Sequence, residues 1–351
     1  MNSSALSREA PGAEATTRRA SDCRCAVCHN REGNTTFIAR EMMFGLRDPF
    51  EYLECAQCGC VQLEEAPADF ERYYPDDYFP EPPVLTAASD LKATLLRQRA
   101  RYCLTGRGLL GRALVARWGR PRASIFGSPD YYAWLRRCEV DFDSSILDIG
   151  CGLGSLLARL HNDGFSRLTG VDPFIHESVH YAPGFAVLKQ ELHETDGEFD
   201  LVMLHHTFEH MPQPAEVLQH IYKLLRPQRY ALIRIPIASS LAYRMYGGHW
   251  VQLDAPRHLF LHSVDSVRLL AERAGFKVAD VVYDSDEFQF WGSEQYVNDI
   301  PLKDARSYAV DPRQSMFDER QIREFRTRAN ELNARGEGDS ACFYLYKFAA
   351  G

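Results

Sequence analysis

The sequence predicts an α/β protein dominated by a doubly wound, mostly parallel sheet, preceded by a small cysteine-bearing module and a helical linker region. Three observations carry this. From Ser145 onward, apolar runs of strand length alternate with helical stretches. A glycine-rich turn, Gly150-Cys151-Gly152-Leu153-Gly154, follows the first of those runs and opens an amphipathic segment. Near the start, two Cys-x2-Cys pairs face each other across an extended stretch.

The 351 residues are 45% apolar, enough for one large domain and a small one. A net charge of −8 excludes a protein whose main work is neutralising a phosphate backbone, so nucleic acid is an unlikely partner on composition. No apolar run is long enough to span a bilayer, and residues 1–20 lack the apolar core of a secretory signal. They are expected to form a disordered tail on a cytoplasmic protein. Ten cysteines in a reducing compartment are better read for metal than for disulfides.

Residues 21–63 are expected to be a zinc-binding module. Cys25 and Cys28 pair against Cys55 and Cys58, four thiolates that suit a closed tetrahedral site able to fold a segment with little core of its own. The 26 residues between the pairs exceed the usual zinc-ribbon gap, which leaves Cys23, His29 and Cys60 as substitute ligands. Residues 64–140 read as a connector and a helical region. The connector is acidic, proline-rich and aromatic, with Tyr73, Tyr74, Tyr78 and Phe79 expected to pack on a neighbouring domain. From Asp90 to Glu139 eleven basic residues stand against three acidic ones, a pattern read as a solvated helical face or as a cradle for an anionic group.

Residues 141–351 form the α/β domain. Strands are expected at 145–150, 166–172, 199–205 and 230–236, with helices near 153–163, 175–181, 213–225 and 263–275. Further strands are expected from Lys277 and from Ala341, with an insertion over 285–340 between them. The run Phe288–Leu302 in that insertion mixes aromatic with amide and hydroxyl groups, which suits either a sugar-binding pocket wall or ordinary core packing.

At the glycine turn, Gly150, Gly152 and Gly154 permit tight bending and close backbone approach to a ligand, next to the donor-rich start of a helix. The following strand ends in Asp172, 24 residues after Asp148, where a carboxylate accepts hydrogen bonds from both hydroxyls of a ribose. The spacing departs from the nicotinamide fingerprint G-x-G-x-x-G, because one residue separates the last two glycines. With Gly170-Val171-Asp172-Pro173 and the segment 199–214, these residues resemble the class I S-adenosylmethionine-dependent methyltransferases. The resemblance covers roughly residues 140–280 and implies a seven-stranded methyltransferase sheet. It further implies that Asp148 and the turn backbone hold the methionyl end, Asp172 the ribose and Glu191 the adenine amino group. His205, at the end of the fourth strand, is also counted among the cofactor-binding residues.

His206-x-x-Glu209-His210 spells a zinc-peptidase signature, but a shared metal needs both histidines on one continuous helix. Pro212 and Pro214 follow too closely, so the segment reads as strand, loop, then a helix opening near Pro214. A loop there overlies the ligand crevice of a parallel sheet, where a histidine can act as general base. The four-cysteine start, the aromatic connector and 253-LDAPRHLFLHS-263 together are similar to bacterial sugar methyltransferases, both deoxysugar C-methyltransferases and enzymes of polysaccharide clusters. That resemblance implies His210 and His258 as catalytic residues facing a small-molecule or glycan acceptor. Arg257 departs from it, standing where those enzymes carry glutamate, and an arginine would favour holding a carboxylate or phosphate. O-methylation of a sugar hydroxyl is therefore the expectation. The alternatives are C-methylation of a keto-deoxysugar nucleotide, RNA methylation and a cofactor-binding scaffold without activity.

Overall fold

A computed structural model describes residues 18–19, 23–75, 83, 85, 90–120 and 131–349. All but two residues of the expected disordered tail, and Tyr78 and Phe79 of the connector, lie outside the described residues. The chain divides into two compact units. One comprises Met1–Tyr73, Pro236–Leu269 and Val282–Ala341; the other comprises Tyr74–Ile235, Leu270–Val281 and Cys342–Gly351.

In chain order the elements begin with β1 (Arg18–Arg19), β2 (Thr35–Arg40), β3 (Pro49–Glu54), β4 (Val61–Leu63), α1 (Asp90–Thr105), α2 (Leu109–Trp118) and α3 (Tyr131–Arg137). There follow β5 (Ile146–Ile149), α4 (Ser155–Asp163), β6 (Leu168–Val171), β7 (Val179–Ala182), β8 (Phe185–Leu188), β9 (Phe199–His205), α5 (Pro214–Leu224) and β10 (Leu225–Pro236). The chain ends with α6 (Leu241–Tyr246), β11 (Phe260–Leu261), α7 (Val264–Arg273), β12 (Lys277–Tyr283), α8 (Phe288–Val297), α9 (Glu319–Arg335) and β13 (Ser340–Lys347).

The α/β unit is built on a sheet of eight strands in the order β12-β13-β10-β9-β5-β6-β8-β7. The neighbours from β10 to β8 run parallel, and β7 pairs antiparallel with β8. Every residue of β5 and β9 is buried, as expected of apolar strands covered on both faces. Helix α5 buries Pro214, Val217, Leu218, Ile221 and Leu224, one stripe at three- and four-residue spacing, and starts on a proline whose missing N–H costs nothing there. Tyr131 and Tyr132 of α3 both donate to the buried Asp163 at the end of α4, Tyr132 at 2.7 Å. The chain reverses its direction of travel across the sheet between β5 and β9, so the crevice of the fold lies beyond their carboxyl ends.

The helix expected near 175–181 is not formed. That segment turns and enters β7, whose pairing to β8 adds an eighth, antiparallel strand to the seven expected. Its sequence, Ile-His-Glu-Ser-Val-His-Tyr, has no sustained helical period, and strand pairing at the sheet edge decides its conformation.

The other unit holds an antiparallel sheet in the order β1-β2-β3-β4-β11. Its core joins Phe37 and Tyr52 of the sheet with Tyr243, Tyr246 and Trp250, and with Phe290 of α8 and Leu332 of α9. The cysteine-bearing segment thus shares a core with later segments of the chain. The aromatic run of α8 is largely core: Phe290 is fully buried, and Trp291 packs with Phe317 and Ile322.

Candidate functional site

At the end of β5 the chain makes its glycine turn, with Gly150, Gly152 and Gly154 all at positive φ. Two of these glycines are demanded by packing. A Cβ on Gly150 would overlap the side chain of Thr207, and one on Gly154 would come within 2.6 Å of Val187 Cγ2. Gly152 differs: a Cβ there would meet no described atom within 4 Å. A side chain there would thus point into open space.

Asp172, at the end of β6, ties into this turn. Its Oδ2 accepts the Gly152 N–H and its Oδ1 accepts the Phe174 N–H, both at 2.9 Å. Each oxygen keeps further acceptor capacity, as a diol-binding carboxylate requires. Asp148 is also buried, and burial followed by repulsion from Asp172 raises its pKa to about 8. Two acids held this close favour a cationic ligand, which would relieve the repulsion. Glu191, beyond β8, is exposed, and its N–H donates to Glu194 Oε2 at 2.8 Å.

Reading the residues in order did not anticipate Tyr181. It stands on β7, where a helix was expected, and its hydroxyl donates to the Leu153 carbonyl at 2.8 Å while its ring stacks on Phe185. The glycine turn is thereby anchored from the far edge of the sheet. An alternating pattern at Val179-His180-Tyr181 was the available signal.

His205 and His206 occupy different environments. The His205 ring is buried at 4.6 Å from that of Trp134, and among the described residues neither ring nitrogen has a hydrogen-bond partner. Burial, then the nearby Arg234 charge, lowers its pKa to about 3, so the ring is neutral. Its side chain thus packs within the sheet, against Trp134. His206 has φ +53° and contacts the buried Arg234 through Nε2 and the buried Glu209 through Nδ1, the latter at 3.4 Å. A single turn of 3-10 helix spans Phe208–His210, and α5 begins at Pro214, so no continuous helix presents His206 and His210 together. Tyr74 Oη lies 3.3 Å from His210 Nδ1.

In the other unit the Sγ atoms of Cys25, Cys28, Cys55 and Cys58 all lie within 4.8 Å of one another. Two turns of the same construction present them. In each, the first cysteine's carbonyl accepts the N–H of the residue four places on, at 2.9 Å, and that residue has positive φ: His29 in one turn, Gly59 in the other. Asn34 Oδ1 joins the turns, accepting from Asn30 Nδ2 and from the Ala56 N–H. The expected substitute Cys60 is buried elsewhere, with Sγ near the Val61 carbonyl and 4.0 Å from His262 Nδ1.

His258 is buried, and its Nδ1 lies 2.7 Å from the Gln252 carbonyl, which makes that nitrogen the donor and Nε2 the basic atom. Burial lowers its pKa. Arg257 does not serve the anion-holding role expected of it. It is fully buried and donates to both oxygens of Asp254 at 2.9 and 2.6 Å, to Glu41 at 2.9 Å and to the Tyr73 carbonyl at 3.2 Å.

Residues 111–281 match a family described as "Methyltransferase domain". The ubiquinone biosynthesis O-methyltransferase of Pseudomonas aeruginosa is 29% identical over 154 residues, spanning 39% of this chain and 66% of that enzyme's length. EEF1A lysine methyltransferase 2 of Mus musculus is 34% identical over 64 residues, 18% of this chain and 23% of that protein. Among solved structures, a SAM dependent methyltransferase from Archaeoglobus fulgidus is 22% identical, covering 61% of this chain and 92% of its own, with a TM-score of 0.39. The matched residues, with the parallel strand order and its glycine turn, give this region the α/β fold of a methyltransferase domain.

Two predictions follow from the geometry. Because Asp148 titrates near 8 in the folded chain and about 3.9 unfolded, its contribution to stability is fully present below about pH 4 and is lost as pH rises through about 8. Asp148→Asn should therefore raise the melting temperature of the cofactor-free protein far more at about pH 9 than at about pH 5, a difference of roughly a few kcal/mol in stability. Equal gains at both, in differential scanning calorimetry, would refute a buried neutral acid. Arg257→Met should lower unfolding free energy by roughly 3–5 kcal/mol in urea titrations, since Glu41 and Asp254 lose their buried partner; a variant of unchanged stability would mean the cation is not an anchor.

Proposed function

We propose that this protein transfers the methyl group of S-adenosylmethionine to a hydroxyl of a sugar or glycan-type small molecule, with His210 as general base. The observation that carries the cofactor assignment is the pairing of Asp172 with the Gly152 N–H, in a turn that is open where a Cβ would stand. When bound, the cofactor supplies an electrophilic methyl on a sulfonium. Everything else falls to this chain's own residues. Asp172 accepts from the ribose hydroxyls, Asp148 and the glycine-turn backbone face the methionyl end, and Glu191 accepts from the adenine amino group.

The acceptor hydroxyl must be aligned and relieved of its proton. His210 lies on the loop beyond β9, at the crevice end of the sheet, and its Nδ1 is within reach of the Tyr74 hydroxyl. With Tyr74 donating to Nδ1, Nε2 becomes the donor of the neutral ring; with Nδ1 protonated and donating, Nε2 carries the lone pair a base needs. We assign the second state to the reacting enzyme. His258, already fixed in that tautomer by Gln252, is the alternative base. A base of this kind contributes about 100- to 10,000-fold, the remainder coming from alignment.

Oxygen as the methylated atom is supported by the named activity of the Pseudomonas relative, whereas the sugar class rests on the resemblance of the cysteine-bearing start and the 253–263 segment to sugar methyltransferases. The locked Arg257 removes the argument for an acidic acceptor group. Our reading of the four cysteines is a structural Zn2+ site. Four thiolates about 2.3 Å from a tetrahedral ion lie about 3.8 Å apart, and the Sγ separations of 3.7 Å for Cys25–Cys58 and 3.4 Å for Cys28–Cys55 are near that value.

In isothermal titration, Asp172→Ala should weaken cofactor binding by about 100-fold, the loss of two charge-assisted hydrogen bonds. His210→Ala should bind cofactor normally and lose about 100- to 10,000-fold in turnover of labelled methyl onto a panel of sugars and nucleotide sugars. Unimpaired turnover would transfer the base role to His258. For the cysteines, metal analysis of purified protein should find one zinc per chain, and a Cys28→Ser, Cys55→Ser variant should lack it; a metal-free, fully folded wild type would sink the zinc assignment.

A further inference from the structure

The hairpin formed by α1 and α2 carries an exposed surface that neither the cofactor site nor the core accounts for. Gly111 sets its packing: a Cβ there would overlap the Gln98 carbonyl oxygen of α1, so α2 lies close against that helix. Gly111 and Leu114 are consequently buried, and the opposite face of α2 is turned outward. That outward face is apolar and basic together. Leu109 is 86% exposed at the turn between the helices and Leu110 is 50% exposed beside it, while Trp118, half exposed at the far end, stands four residues after Leu114 and so on the side of the buried face. Ala113 and Ala116 continue the exposed stripe from Leu109 at helical spacing, with exposed Arg112 and Arg117 flanking it. Leu91, near the start of α1, is a further 71% exposed.

The charge is as uneven as the polarity. Residues 90–120 hold eight basic side chains and one acidic, a net of +7, in a chain whose total is −8; the other residues therefore carry −15. Such a distribution turns the hairpin toward an anionic surface and the rest of the chain away from it.

We infer that the α1–α2 hairpin is a docking surface for anionic membranes. Leu109 and Leu110 enter the interface between headgroups and acyl chains, while Arg112 and Arg117 lay their stems on the apolar layer and keep their guanidinium groups at phosphate level. The stripe of leucine and alanine carries no aromatic ring, and Trp118 stands alone off it, so the face offers nucleic-acid bases no succession of stacking platforms, which favours lipid over RNA. No helix among the described residues is long and apolar enough to cross a bilayer, so the attachment is peripheral. It requires no particular acceptor and no bound cofactor.

Flotation of the full-length protein with vesicles tests this directly. It should float with equimolar phosphatidylcholine and phosphatidylglycerol, not with phosphatidylcholine alone, and the binding should weaken with salt. Arg112→Glu with Arg117→Glu should weaken binding by about 25-fold or more. Leu109→Ser with Leu110→Ser should weaken it on the order of tenfold, and an equally exposed pair on α9, Arg320→Glu with Arg323→Glu, should leave it intact. Circular dichroism and cofactor titration of each variant report folding independently of lipid. Failure to float with anionic vesicles, or equal binding by all three double variants, overturns the proposal. So does tighter binding to single-stranded RNA that depends on the arginines and not on the leucines, which would assign the patch to nucleic acid.

Discussion

Close packing of side chains around the glycine turn governs the methyltransferase domain. The space of a Cβ is already occupied at Gly150 by Thr207, from the loop after β9, at Gly154 by Val187 of β8, and at Gly170, within β6, by the Cys151 sulfur. Any side chain at these positions would force the strands or the turn apart. Close approach delivers the Gly152 N–H to Asp172, and it places Asp148 where the Asp172 charge reaches it. A buried acid repelled by a second acid is a cost the fold carries in the absence of a ligand, and a cation at that place would relieve it. The repulsion between the two acids and the packing of this crest therefore share one cause.

Tyr181 extends that cause to the sheet edge. Leu153 is in the turn, and its carbonyl would end unpaired if only the preceding and following strands were considered. The hydroxyl on β7 satisfies it. An antiparallel edge strand thus fixes the turn of a parallel sheet, and the ring's stacking on Phe185 holds the hydroxyl in place.

What could be read from the residues was whatever is local. The apolar strand, the glycine turn and the stripe of α5 are encoded within a few residues of one another, as is each Cys-x2-Cys turn, and all of them stand where expected. The strand-loop-helix reading of 199–214, drawn from two prolines, also matches the observed elements. What escaped was set by distant partners. Residues 175–181 carry no decisive period and take their form from β8. The aromatic run of α8 is buried on nearly every side, so no polar face distinguishes core from pocket. His205 looked like a crevice residue because it ends a strand; only the three-dimensional placement of Trp134, 71 positions earlier in the chain, shows where its ring goes.

Arg257 is the sharpest case, and its environment changes how the 253–263 segment should be understood. A fully buried guanidinium is tolerable only with its donors engaged, and here two carboxylates and a carbonyl engage them. Glu41 in turn accepts the N–H groups of Phe44 and Leu46 at 2.9 Å, so the cation joins a loop of the antiparallel sheet to the residue beside His258. The backbone of the same turn is held on both sides: the Arg257 N–H donates to the Asp254 carbonyl at 2.9 Å, and Tyr52 donates to the His258 carbonyl at 3.1 Å. With Gln252 holding the ring, both the backbone carbonyl and the imidazole of His258 are fixed by neighbouring residues. Arg257 therefore anchors the turn that presents His258, and a guanidinium so fully engaged carries no information about the charge of an acceptor.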